Sequence, residues 1–283
     1  MTMAEERRDA RRYAILLSPA LLFLAVLFVV PIGELLVRSF YDHGFTLKNY
    51  RQVIDNPVYL TVIGLTFRMV TVVTLVCLLF GYPLALFIAG LPDRIARWVR
   101  VLVVIPLLIS VIVRTYAWMV LLGTHGLVND ALRALSLTSE PVKLLYSFPG
   151  VIVGMVYVML PLAVLTLESV MRNIDPNVMR AAHNLGASKT QAFWRIFFPL
   201  TLPGLAGSAL LVFITSLGYY ITPALLGGPK DVVIAMLIAR QVEISMNWGF
   251  ASSLAVLLLA TTLAGFLAVN RIVGLQRIFE ARA

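Results

Sequence analysis

Six stretches of the chain, roughly 14–36, 62–89, 99–122, 151–170, 203–226 and 251–269, are each apolar over about the 20 residues a helix needs to cross ~30 Å of hydrocarbon. A backbone in lipid has no water to bond, so each such stretch must close its own hydrogen bonds, which an α-helix does within one segment. The expected fold class is therefore all-α: a polytopic membrane protein with six transmembrane helices. Composition agrees, because 60% of the residues are hydrophobic and 13% charged, with a mean hydropathy of +0.91, where a soluble domain is nearer 45–50% apolar. The basic start MTMAEERRDARRY precedes an apolar run longer than a signal-peptide core and without a small-x-small cleavage site, so that run reads as the first membrane helix.

The net charge of +9 is scattered between the apolar runs rather than gathered in one groove, so it speaks for topology and against a nucleic-acid partner. With the N-terminus inside, the cytoplasmic segments carry 14 Lys and Arg and the outer loops 7, which leaves Arg68 and Arg114 within spans. That bias predicts both termini in the cytoplasm, as tails 1–13 and 274–283, and the loop 171–200 on the same side. Of the longer outer loops, 227–249 contains the run VVIAMLIA, too short to span and suited to a short helix at the interface. Cys77 is alone and His43, His125 and His183 are far apart, so neither a disulfide framework nor a metal cluster is expected.

Between the fourth and fifth spans, MRNIDPNVMRAAHNLGASKTQAFWRIFFPL is the one long water-compatible interior stretch. Asp175 suits a helix N-cap and Pro176 its first turn. The helix should run to about Leu185, where Gly186 supplies a stop, and Ser188 with Gln191 has the spacing of a capping box that starts a second short helix, ended by Pro199. Ala181 and Ala182 would present a low-profile face on the first helix, and Phe193, Trp194, Ile196, Phe197 and Phe198 an aromatic one on the second.

The run RAAHNLGASKTQAFWRIFFPLTLPG resembles the cytoplasmic loop motif of the membrane subunits of binding-protein-dependent ABC importers, in the spacing of Ala181, Ala182, Leu185, Gly186, Ala187, Phe193, Ile196, Pro199 and Pro203. It departs at Arg180, where the family usually has Glu. The resemblance implies a type I importer permease fold whose loop holds a coupling helix that docks into a groove of an ATPase subunit, with Arg180, Ala181, Ala182, Leu185, Gly186, Ala187, Ser188 and Phe193 as the coupling residues. Over nearly the whole chain, GFTLKNYRQV, GYPLAL, VRTYAWMVLLG, GLVN and SLGYYITPALLGGPKDVVIAMLI are similar to the polyamine (spermidine/putrescine) branch of these permeases. That similarity implies a bacterial inner-membrane subunit paired with a second, different permease, two ATPase subunits and an extracytoplasmic substrate-binding protein. Transport would run by alternating access. ATP and Mg would sit in the ATPase, and no cofactor is expected in this chain.

Catalytic groupings are missing from the sequence. Lys189-Thr190 faintly resembles a P-loop, but Ser188 and His183 stand where glycines are needed, so ATP hydrolysis is not expected here. A charge inside a span costs a few kcal/mol and is a functional candidate by default. Arg114, with Tyr116 and Trp118 near it, is either a pathway residue or an arginine satisfied by carbonyls at a kinked helix. Tyr219, Tyr220 and Thr222, before Pro223, would line a pore or gate. Arg68 is expected to snorkel outward, Glu168 to pair with Arg172 one turn on, and Gly150 and Gly154 to form a packing face. Pro83, Pro106, Pro161 and Pro223 place helix breakers in four spans.

A polycation crossing a low-dielectric path should want carboxylates or aromatic faces, and within the spans this chain offers aromatics and only Glu168. An amino-acid-like or aminophosphonate substrate is therefore an alternative within the same architecture. Rivals of another class are a stand-alone secondary transporter or channel, against which the lack of an internal repeat counts, and a membrane enzyme.

Overall fold

The computed structural model describes Tyr13, residues 16–41 and residues 44–273, the last six as backbone only. The rest of the expected tails 1–13 and 274–283, positions 14 and 15 of the first span, and His43 lie outside the described residues. Those described are helical almost throughout, with a single isolated bridge between Tyr41 and Phe45. In chain order the helices are α1 (Leu16–Phe40), α2 (Lys48–Asp55), α3 (Pro57–Ala89), α4 (Asp93–Leu108), α5 (Val111–Leu122), α6 (Leu127–Ala134) and α7 (Phe148–Arg172). They continue as α8 (Pro176–Asn184), α9 (Lys189–Leu217), α10 (Ile221–Leu226), α11 (Ile234–Glu243) and α12 (Trp248–Val273). Six stretches are long and apolar enough to span: α1, α3, Val111–Ala134 comprising α5 and α6, α7, α9, and Trp248–Leu267 of α12.

The described residues fall in two compact units, one within Met1–Pro57 and Ile238–Leu259, the other within Val58–Leu237 and Ala260–Ala283. In the first, the Tyr50 hydroxyl donates to Ser39 Oγ at 2.8 Å, and the Phe40 and Tyr50 rings stack at 5.0 Å. Ser253 Oγ stands 3.1 Å from the Ser39 carbonyl, so α1, α2 and α12 meet around one buried serine. None of the most apolar window of α1 is buried, as suits a helix that is apolar all round.

In the second unit α7 is central, with 56% of its most apolar window buried. Val151, Met155, Val158, Met159 and Ala163 pack with Met69, Val73 and Cys77 of α3 and with Val212 and Leu226. Further along, Val164, Leu167 and Met171 pack with Ala85 and Ile88 of α3 and Ala96 of α4. Lipid tails are as apolar as the helices, so association depends on close contact rather than on escape from water. Small residues supply it: a Cβ added at Gly204 of α9 would stand 2.8 Å from Val170 of α7, and Ser208 Oγ donates to the Ala163 carbonyl at 3.3 Å. Gly154 meets α10, where its added Cβ would stand 2.9 Å from Thr222 Cγ2, so the Gly150/Gly154 pattern is a packing face.

Three expectations are corrected. The 99–122 span is two helices, because Ile109 and Ser110 are extended (ψ 137° and 133°) just after Pro106. The 203–226 span is interrupted at Gly218, Tyr219 and Tyr220. Pro199 ends nothing, for α9 runs through it and through Pro203 to Leu217. A proline ring crowds the carbonyl four residues back, and a wide π-turn over Phe193–Phe197 relieves that crowding, the Phe198 N–H bonding to the Phe193 carbonyl. The same device precedes Pro31, where the Val30 N–H bonds to the Ala25 carbonyl. Helices α3 and α7 also continue past Pro83 and Pro161.

Candidate functional site

Two features gather the candidate residues: the hairpin of α8 and the start of α9, and the pair of helix breaks beside Arg114. The hairpin is closed by its own side chains. Asp175 accepts from the Asn177 N–H at 2.9 Å, and Pro176 occupies the first turn of α8. At the other end the Gly186 N–H bonds to the His183 carbonyl and the Ala187 N–H to the Ala182 carbonyl, both at 3.0 Å. This is a Schellman closure, and it sets Gly186 at φ +85°, a backbone that side chains with a Cβ rarely adopt. The Ser188 N–H donates to Gln191 Oε1 at 3.0 Å and the Gln191 N–H to Ser188 Oγ at 3.3 Å, completing the capping box.

The two helices pack together, and between residues 176 and 197 the buried residues are alanines, Ala182 on α8 and Ala192 on the first turn of α9. Ala182 is therefore not on the presented face as expected: it lines the inside of the hairpin, while Ala181, one helical step of about 100° away, is exposed. Leu185 is 89% exposed and Trp194 59%, large apolar groups that water does not favour. Arg180 is exposed, its Nη1 3.4 Å from Asn177 Oδ1. Ala187 and Phe193 are half-buried. The other aromatics turn inward: Phe193 stacks on Phe197 at 5.8 Å, and Phe198 meets Trp194 at 5.2 Å and Tyr82 of α3 at 5.8 Å.

At the breaks, Arg114 is buried, its Nη1 donating to the Pro106 carbonyl at 2.6 Å and its Nη2 to the Tyr219 hydroxyl at 3.3 Å. The Pro106 carbonyl lies in the last turn of α4, where no following helical N–H reaches it, and Arg114 fills that place from the next helix. One side chain thus joins the α4/α5 break to the α9/α10 break. Arg114 Nε and the buried hydroxyls of Ser216 and Thr222, which flank the second break, make no protein hydrogen bond. Trp118 packs edge-on against Tyr157 of α7 at 5.4 Å. Tyr116 faces away, 54% exposed, and Tyr220 is 39% exposed, so neither joins this cluster. The Pro106 carbonyl and Tyr157 are beyond what the sequence predicts; a proline eight residues ahead of an intramembrane arginine is the available signal.

Arg68 lies over the Phe148 ring at 5.0 Å, a cation–π contact in place of simple snorkelling. The Glu168–Arg172 pair forms as expected, Nε to Oε1 at 2.5 Å, as an ion contact without good hydrogen-bond alignment.

A multi-pass bundle with interrupted helices around a buried arginine, and one capped, largely exposed helical hairpin between two spans, is the build of a transport permease subunit. Residues 78–282 match the family described as binding-protein-dependent transport system inner membrane component, and the chain belongs to that family. It is the permease component of an ABC importer. It is 34% identical over 240 residues to the spermidine/putrescine transport system permease protein PotB of Haemophilus influenzae, covering 85% of this chain and 82% of that one. To PotB of Escherichia coli K12 it is 34% identical over 220 residues, 78% of this chain and 80% of that one. Its fold is similar to that of a bacterial ABC transporter involved in import of the acidic polysaccharide alginate, with TM-score 0.75 at 20% identity, covering 95% of this chain and 96% of that one. It is also similar to the methionine ABC transporter MetNI in an inward-facing conformation, with TM-score 0.57 at 21% identity, covering 74% and 91%.

Proposed function

We propose that this chain forms half of the translocation pathway for a polyamine, spermidine or putrescine, delivered by an extracytoplasmic binding protein. The observation that carries this reading is the 34% identity to a spermidine/putrescine permease across more than four-fifths of both chains. A second, different permease completes the pathway, two separate ATPase subunits hold ATP and Mg, and both termini and the hairpin are cytoplasmic. Coupling runs through the hairpin, where the exposed Leu185 and Trp194 seat in a groove of the ATPase and Arg180, Ala181 and Ser188 line the contact. The Schellman closure and capping box keep the hairpin rigid enough to deliver a push, so closing of the ATPase dimer selects between two packings of the bundle.

One observation favours a second reading. Arg114 is a buried cation whose hydrogen-bond partners are a carbonyl and a hydroxyl, and no carboxylate, an arrangement that suits a substrate with an anionic group, such as an amino-acid-like or aminophosphonate compound. Proteoliposomes holding the full importer decide between them. Expected is ATP-dependent, saturable uptake of spermidine from its loaded binding protein. Accumulation of an aminophosphonate with no spermidine uptake selects the second reading, and uptake that persists without any ATPase overturns both in favour of a stand-alone carrier.

A further inference from the structure

The root of the hairpin carries a charge cluster that the coupling motif does not include. Arg172 is the last residue of α7, three residues ahead of the α8 cap Asp175. Its Nη2 stands 3.3 Å from the Ile88 carbonyl and 3.3 Å from the Leu91 carbonyl, at the end of α3. Its Nη1 donates to Asp93 Oδ1, on the first turn of α4. Its Nε faces Glu168, which is buried and has Arg100 of α4 3.9 Å away on the same oxygen. The Ile88 carbonyl, in the last turn of α3, also accepts the Leu91 N–H at 3.2 Å, and the Leu91 carbonyl lies just past the helix end; a guanidinium is a suitable cap for such terminal carbonyls. Asp93 is in turn favoured at a helix N-terminus. Two cations meet two carboxylates, so the cluster carries no net charge into the bundle.

From this geometry we infer that Arg172 is a positioning residue that clamps the root of the coupling hairpin to the α3–α4 turn, so that movement of the hairpin carries α3 and α4 with it rather than flexing the link 173–175. The inference rests on the coupling role proposed above for the hairpin. A planar fork is needed, because one side chain must reach two carbonyls and two carboxylates at once, which an ammonium cannot match.

The test uses the complete importer in proteoliposomes. Arg172→Gln is expected to assemble with the ATPase and to hydrolyse ATP within about twofold of wild type, while spermidine moved per ATP falls about tenfold, a typical size for a lost coupling. Arg172→Lys should recover only part of that ratio. An unchanged ratio, or equal losses of hydrolysis and transport, overturns the clamp. If Arg172→Gln fails to assemble, Asp93→Asn decides, because that carboxylate is 86% exposed and not part of the packing. A ratio lowered about twofold or more in Asp93→Asn supports the clamp, and an unchanged ratio overturns it. A readout free of substrate comes from nitroxides at Arg94→Cys and Lys189→Cys, with buried Cys77 the sole native thiol. Their distance distribution should be narrow with Arg172 in place and broad in the Arg172→Gln variant; a narrow distribution in both overturns the clamp. A wild type that moves no spermidine yet keeps the narrow pair sinks the polyamine reading and leaves the clamp standing.

Discussion

At the scale of single residues, Arg114 is where the fold and the proposed pathway meet. Replacing it with alanine leaves the Pro106 carbonyl unpaired at the end of α4 and frees the two helix breaks from each other. Arg114→Ala is expected to reduce uptake about tenfold or more while the ATPase still copurifies, since an unsatisfied buried group costs about 1–3 kcal/mol at the place where the helices must hold their geometry. Wild-type uptake in that variant would remove Arg114 from the pathway. Tyr219→Phe removes one hydrogen bond and keeps the ring, so its effect should be smaller, about 1 kcal/mol of stability, and less than additive with Arg114→Ala in a double-mutant cycle. The charge is legible in the sequence but its partner is not. Pro106 and Arg114 read as parts of one continuous span, and only the extended backbone at Ile109 and Ser110 lets the arginine turn back onto the carbonyl.

At the scale of elements, the hairpin is legible almost residue by residue, because caps are local chemistry. Asp175, Gly186, Ser188 and Gln191 each act on a backbone group within five residues. Gly186 gives the sharpest test, for its φ of +85° strains a Cβ although nothing stands within 4 Å to clash with one. Gly186→Val should cost about 1–2 kcal/mol and lower recovery of the ATPase on copurification, while Gly186→Asn, which visits the left-handed region more readily, should stay near wild type. The α7–α9 contact gives a second pair: Gly204→Val drives a side chain into Val170 and should lower the melting temperature in detergent, whereas Gly207→Val enters open space and should not. Equal melting temperatures would mean that α9 does not rely on this approach. Pro199 misleads because a proline stop rule formed on soluble helices neglects the π-turn ahead of it, a register shift that composition does not signal.

At the scale of the whole molecule, six spans are legible because bilayer thickness sets a minimum length for any apolar run, and the interruptions within two of them are not, because hydropathy averages over the breaks. Sidedness has a direct test: a thiol at Lys189→Cys should react with a membrane-impermeant reagent in inverted vesicles and be silent in intact cells, and the reverse result would overturn the cytoplasmic placement of the hairpin. The unbroken course of α9 sets what that measurement means. From Lys189 to Leu217 it spans about 43 Å at 1.5 Å per residue, starting in the capping box and stopping two residues short of Tyr219. In the coupling proposed above it would serve as a pushrod, with the hairpin at one end and the tyrosine held by the buried guanidinium at the other. A compound wedged beside Ser188 would therefore be felt at the far end of the rod, without ever entering the membrane.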